Sequence, residues 1–119
     1  MLTAVGHLFG TGWWYVGTVL TNPTAGTVLI DSGPLYGQSN SYLIGVMGAS
    51  TVNWAYDVQH RNAANDTNIH AQRRRPSAGN EDWNSPNKIL VGSNERIRLV
   101  LLADVTGEIQ VSLFLQEVG

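Results

Sequence analysis

The sequence predicts an all-β protein, an antiparallel β-sandwich of jelly-roll or Greek-key type with seven or eight strands and little or no helix. Three observations predict it. Residues 108–117 alternate strictly, with Ile109, Val111, Leu113 and Leu115 apolar and Glu108, Gln110, Ser112 and Gln116 polar, Phe114 alone being out of step. That period of two is the mark of a strand with one buried face. Turn clusters built from Gly, Pro, Asn, Asp and Ser recur every 8 to 15 residues, and nowhere is a 3.6-residue period sustained.

Taken in order, residues 2–9 read either as a first strand or, with residues 1–10, as an extended N-terminal arm that orders on a partner. Gly10, Thr11 and Gly12 then break the chain before the aromatic and β-branched run 13–20, a strand by composition, which Asn22 and Pro23 end. Residues 26–30 form a short strand closed by Asp31, Ser32, Gly33 and Pro34. Tyr42, Ile44 and Val46 mark a strand over 41–47. In 52–61, Val52, Trp54, Tyr56 and Val58 face one way, against Asn53, Asp57 and Gln59. A loop over 62–66 leads to a strand at 67–74 and a second loop over 76–80. Pro86 confines any strand in 81–90 to an edge or to its first residue. Finally Ile97, Leu99 and Leu101 define a strand whose link to 108–117, residues 104–107, contains the turn residues Asp104 and Gly107, so a terminal hairpin is expected.

With 119 residues the chain is expected to be a single domain with one core. Its charge is unusual. Only 13% of residues are charged, about half the share of an ordinary soluble domain. Asp31 is the one charged residue in 1–56, and all seven basic residues lie between Arg61 and Arg98. Either Thr, Ser, Asn and Gln solvate this half unaided, or neighbouring subunits cover it, since interface centres are poor in charge and rich in Trp and Tyr. A net charge of -2 argues against nucleic acid as a partner. No apolar run has the length of a membrane helix, no basic segment precedes the first apolar residues as in a secretory signal, and there is no cysteine to form disulfides or ligate metal.

Candidate chemistry is sparse. His7, His60 and His70 have no zinc spacing, although His60 and His70 can approach across adjacent strands. Glu81 and Asp82, adjacent in an extended chain, point apart rather than converging as a glycosidase pair would, and no nucleophile elbow is present. The expectation is a protein that is not an enzyme and holds no metal or cofactor. The amide-rich run 62–68 lacks the EF-hand ligand spacing and reads as a loop. Arg73, Arg74 and Arg75 either pair with Glu81 and Asp82 across the following loop or dock on carboxylates of another subunit. Trp54 is in phase with the core. Trp13 and Trp14 must point to opposite faces, so one of them is a contact candidate, as is Trp83.

Residues 58–65, 94–100 and 106–112 resemble small virion proteins of tailed bacteriophages. The resemblance lies in the pattern of strands and loops over the last half of the chain. It implies a sandwich that decorates or cements a capsid surface, as a homo-oligomer with a trimer favoured, its partners being the major capsid protein or other virion proteins. It is then made in the host cytoplasm. On this reading Leu2, Leu8, Phe9, Trp13 and Trp14 serve assembly, and Arg73, Arg74, Arg75 and Trp83 make docking or intersubunit contacts. Two alternatives stand beside it: a carbohydrate-binding or receptor-binding module that uses Trp83 and the Asn/Asp loops to hold a glycan, and a neck or tail component of the virion.

Overall fold

The computed structural model describes residues 2–8, 13–35 and 40–118, and the side chains of 16–35 and 41–118. Ten strands follow one another without a helix among these residues: β1 (Leu2–Leu8), β2 (Trp13–Thr21), β3 (Val28–Asp31), β4 (Asn40–Ser50), β5 (Tyr56–Arg61), β6 (Asn68–Arg74), β7 (Gly79–Asn84), β8 (Ile89–Val91), β9 (Arg96–Leu101) and β10 (Glu108–Glu117). They form two antiparallel sheets. The larger has the order β1, β2, β10, β4, β7, with β8 pairing the other end of β4, and the smaller has the order β3, β9, β5, β6. The all-β antiparallel architecture expected from the alternation is therefore present, with ten strands rather than seven or eight.

Two segments account for the difference. Residues 2–8, open between strand and arm in the sequence, pair with β2 as β1. Residues 79–91 divide into β7 and β8, which lie end to end along β4 with Pro86 in the gap between them. Proline cannot donate to a ladder, so this break at a sheet edge is where it fits.

The expected terminal hairpin is not formed. β10 pairs with β2 and β4, whereas β9 pairs with β3 and β5 in the other sheet. Both strands carry one strongly apolar face, and each buries it against the other layer: Ile97, Leu99 and Leu101 come from one side, Ile109, Val111, Leu113 and Leu115 from the other, all in one core. The link between them crosses the sandwich. Val105 in its middle is buried in that core, its N–H donates to the Pro23 carbonyl, and Leu102 N–H donates to Ala55. Gly107 closes the crossing at a φ of 108°, a left-handed conformation suited to glycine, with its N–H donated to Asn22 Oδ1 at 2.7 Å.

The strand expected over 52–61 starts only at Tyr56. Trp54 lies ahead of it, donates its backbone N–H to Pro76, and stacks its ring on Tyr56 with centroids 4.9 Å apart. Its side chain is in the core, as its phase implied.

Candidate functional site

Since the inner face of the larger sheet is committed to the core, its outer face is set by the residues of opposite parity. Three rows cross it. Phe114 of β10 pairs with Gly45 of β4, and Asn84 of β7 lies beyond Gly45. One step along, Ser112 pairs with Met47 and Gly17, with Asp82 beyond. A further step brings Gln110, Ala49, Val19 and Asn80 into line.

The outer face carries two open hollows. One hollow of about 330 Å³ is lined by Phe114, Gln116, Leu43, Met47 and Asn84 among others, and a second of about 490 Å³ by Gln110, Ser112, Val19, Asn80 and Met47. Met47 and Asp82 border both, so the two hollows lie side by side along one open trough, with the Met47–Asp82 row between them. Small residues keep its floor low. A Cβ on Gly45 would stand 2.8 Å from Asn84 Oδ1 and 3.6 Å from Phe114 Cβ, so the glycine leaves space for the Asn84 amide beside the ring. Met47 is half exposed, at 50%. An apolar surface thus lies among carboxamides, a hydroxyl and the Asp82 carboxylate, which together accept and donate hydrogen bonds in several directions.

A second concavity of about 360 Å³ opens at the side of the sandwich, between β6 and the β7–β8 edge, bordered by Trp83, His60, His70, Lys88 and Leu90. Its walls are tied together. Glu81, buried in β7, accepts from Tyr56 Oη at 2.9 Å and from Arg74 Nε at 3.2 Å, and the Arg74 guanidinium lies 5.5 Å from the Trp83 ring centroid. Burial, and then the bond to Glu81, push the Tyr56 phenol well above its ordinary value. The same carboxylate raises Arg74 further. His60 and His70 do meet across β5 and β6, stacked with centroids 5.5 Å apart. His60 Nε2 lies 2.8 Å from Glu95 Oε1, while its Nδ1 has no partner among the described residues. No group of three metal-ligating side chains occurs among those residues.

The structure distributes the sequence candidates as follows. Leu2 and Leu8 lie in β1 and Trp13 and Trp14 at the start of β2, with side chains outside the described set, and Phe9 lies outside the described residues altogether. Arg74 meets Glu81, as one reading of the arginine run had it. Arg73 instead pairs with Asp57 at 3.6 Å, and its side chain is 55% exposed. Arg75 is exposed just past β6. Trp83 is directed inward, opposite Val46, and packs on the core beside the side groove, so it does not reach the trough. The amide-rich loop after β5 closes on itself: Asn62 and Thr67 both bond the Asp66 carboxylate, holding it below its ordinary pKa, and Arg61 is bound by Asn65. Phe114, Met47, Asn84 and Gln110 were missed as site residues. The signal for the first was its break in the polar parity of β10.

No protein-family model matches the chain, and a search of curated proteins finds no match. Among solved structures, one described as "CBM4 structure and function", a carbohydrate-binding module, is similar with a TM-score of 0.58 and 16% identity over 99% of this chain and 77% of its own. At that identity the likeness is one of fold.

Proposed function

We propose that this protein is a carbohydrate-binding β-sandwich module whose outer trough holds an uncharged glycan. The carrying observation is the setting of Phe114 and Met47 on the trough floor among the side chains of Asn84, Gln110, Gln116 and Asp82. A sugar ring offers an apolar C–H face and a rim of hydroxyls, so it needs an apolar surface to lie on and amides or carboxylates at its edge. Among the described residues no basic side chain lines either hollow, which favours neutral over acidic sugars. The fold likeness to a carbohydrate-binding module supports this reading. The experiment is a glycan array followed by calorimetry on the sugars retained, with the Phe114→Ala variant beside the native chain. Retention of neutral glycans that the variant loses is the expected outcome, and a blank array overturns the reading.

A second reading is the virion decoration protein that the phage resemblance implies. The observation favouring it is that β2 and β4 contribute no charged residue to the same outer face, as a surface covered by symmetry mates would require. Sedimentation separates the two. An oligomer, a trimer in particular, together with binding to empty capsids, favours decoration, whereas a monomer at high micromolar concentration counts against it.

A further inference from the structure

The smaller sheet also has an outer face, and it is charged where the trough is not. The alternation that buries Ile97 and Leu99 in β9 turns Arg96 and Arg98 outward. The register of β5 against β9 sets Arg61 directly opposite Arg96 and Gln59 opposite Arg98. Three of the chain's seven basic residues therefore stand side by side on one patch. Like charges directly opposite one another in adjacent strands are destabilising.

Neutral groups hold these guanidiniums more than opposite charges do. Arg61 donates to Asn65 Oδ1, to Asn68 Oδ1 and to the Asn65 carbonyl at 3.0, 2.9 and 2.7 Å. Arg98 donates through Nε to Gln59 Oε1 at 2.6 Å. The one carboxylate engaged, among the described residues, is Asp31, whose Oδ2 lies 3.2 Å from Arg96 Nη1. Three positive charges thus face two negative ones, Asp31 on Arg96 and Asp66 acting on Arg61 through space, and the forks of Arg61 and Arg98 are fixed in place by oxygens that do not neutralise them. Arg96 Nε is buried and has no hydrogen-bond partner among the described residues. Arg98 is held below its ordinary pKa first by burial and then by the charge of Arg61. Placed guanidinium forks carrying an unbalanced charge are the arrangement that recognises oxyanions through paired, charge-assisted hydrogen bonds.

We propose that Arg61, Arg96 and Arg98 form a binding site for a tetrahedral oxyanion, a phosphate or sulfate group. Asp31, on β3 beside β9, sits at the edge of the site. The site lies on the opposite sheet from the trough and does not depend on the trough's occupant.

The test is an NMR titration that follows the arginine Nε–H signals with sodium sulfate, sodium phosphate, glucose 6-phosphate and glucose 6-sulfate, against sodium chloride at matched ionic strength. Saturable shifts with the oxyanions and none with chloride are expected. Tighter binding of the sugar esters identifies an esterified glycan as the source, and equal binding identifies the free ion. Arg98→Gln and Arg61→Gln each weaken binding by about tenfold or more. Circular dichroism checks that each variant folds, and if Arg98→Gln does not, Arg61→Gln decides. Shifts that match chloride, or an affinity unchanged in a folded variant, overturn the proposal.

Discussion

Arg74 spans the opening between the two sheets and brings its Nε to 3.2 Å from Glu81 Oε2. The carboxylate is buried, and a Tyr56 hydroxyl 2.9 Å away completes its bonding, so β5, β6 and β7 are fastened at one point. An ion pair that is half in water adds little by itself. Removing its buried member is different, because the Tyr56 hydroxyl is left without an acceptor and Arg74 without a counter-charge. Glu81→Ala is expected to cost about 2–4 kcal/mol, and Tyr56→Phe, which deletes one bond and leaves the ion pair, about 1–2 kcal/mol. Urea unfolding of the three proteins gives both numbers. Equal losses would mean that Arg74 contributes nothing.

Stability should also depend on acid through Glu95. Burial opposes ionisation of this carboxylate, but the Gly92 N–H at 2.6 Å and His60 at 2.8 Å outweigh it and hold the carboxyl below its ordinary value of 4.5. Gly92 makes the approach possible, since a Cβ there would come within 3.0 Å of Glu95 Cδ. A depressed folded value means that the unfolded chain takes up the proton first. The contribution is therefore complete above 4.5 and is lost as the pH falls from there through the lower folded value. Glu95→Gln should flatten this part of the acid limb in urea midpoints measured from about pH 6 to pH 3. Asp66 is likewise held low, so the difference between native and variant curves isolates Glu95.

Gly48 is expected to tolerate no side chain. It lies on the inner face of β4 opposite Val111, and a Cβ would stand 2.8 Å from the Gln110 backbone oxygen and 3.2 Å from Trp54 Cη2. Neither a paired strand nor a stacked core indole can yield cheaply. Gly48→Ala should cost about 1–3 kcal/mol by overpacking, read as a lower thermal midpoint. Gly45→Ala meets only the end of the Asn84 side chain at its closest approach, so its loss should be smaller.

The difference between what the chain spelled out and what it concealed follows from the range of each interaction. β9 and β10 were legible because alternation is a local property of the residues that show it. Their partners were not. Asp104 and Gly107 have the chemistry of a hairpin turn, but the burial of Val105 between them carries the link across the core, and that depends on Pro23 and Ala55 far away in sequence. Trp83 looked like a surface ring because its neighbours are acidic and polar; the register with Val46 turns it inward. The trough was hidden for the same reason. Phe114, Met47 and Asn84 belong to three strands, and only the order β10, β4, β7 brings them together. The one local trace was a phenylalanine where the parity of β10 called for a polar residue.

That phenylalanine carries the most direct test of function. Phe114 faces outward on a central strand, so its removal takes little from the core while taking from the trough the one aromatic ring among its described lining residues. Covering a ring of this size is worth about 1.5–3 kcal/mol, so Phe114→Ala should weaken glycan binding roughly tenfold to a hundredfold. Asn84→Ala and Gln110→Ala each remove one hydrogen-bonding edge and should cost less, about 0.5–1.5 kcal/mol of binding. Trp83→Phe works in the opposite sense. Its ring supports Arg74 and the core at the side groove, away from the trough, so affinity should hold while the melting point falls. Calorimetry with whichever neutral oligosaccharide the array retains measures all four. Should Trp83→Phe abolish binding and Phe114→Ala spare it, the sugar lies in the side groove between β6 and β8, and the trough is better understood as a surface for packing against neighbours.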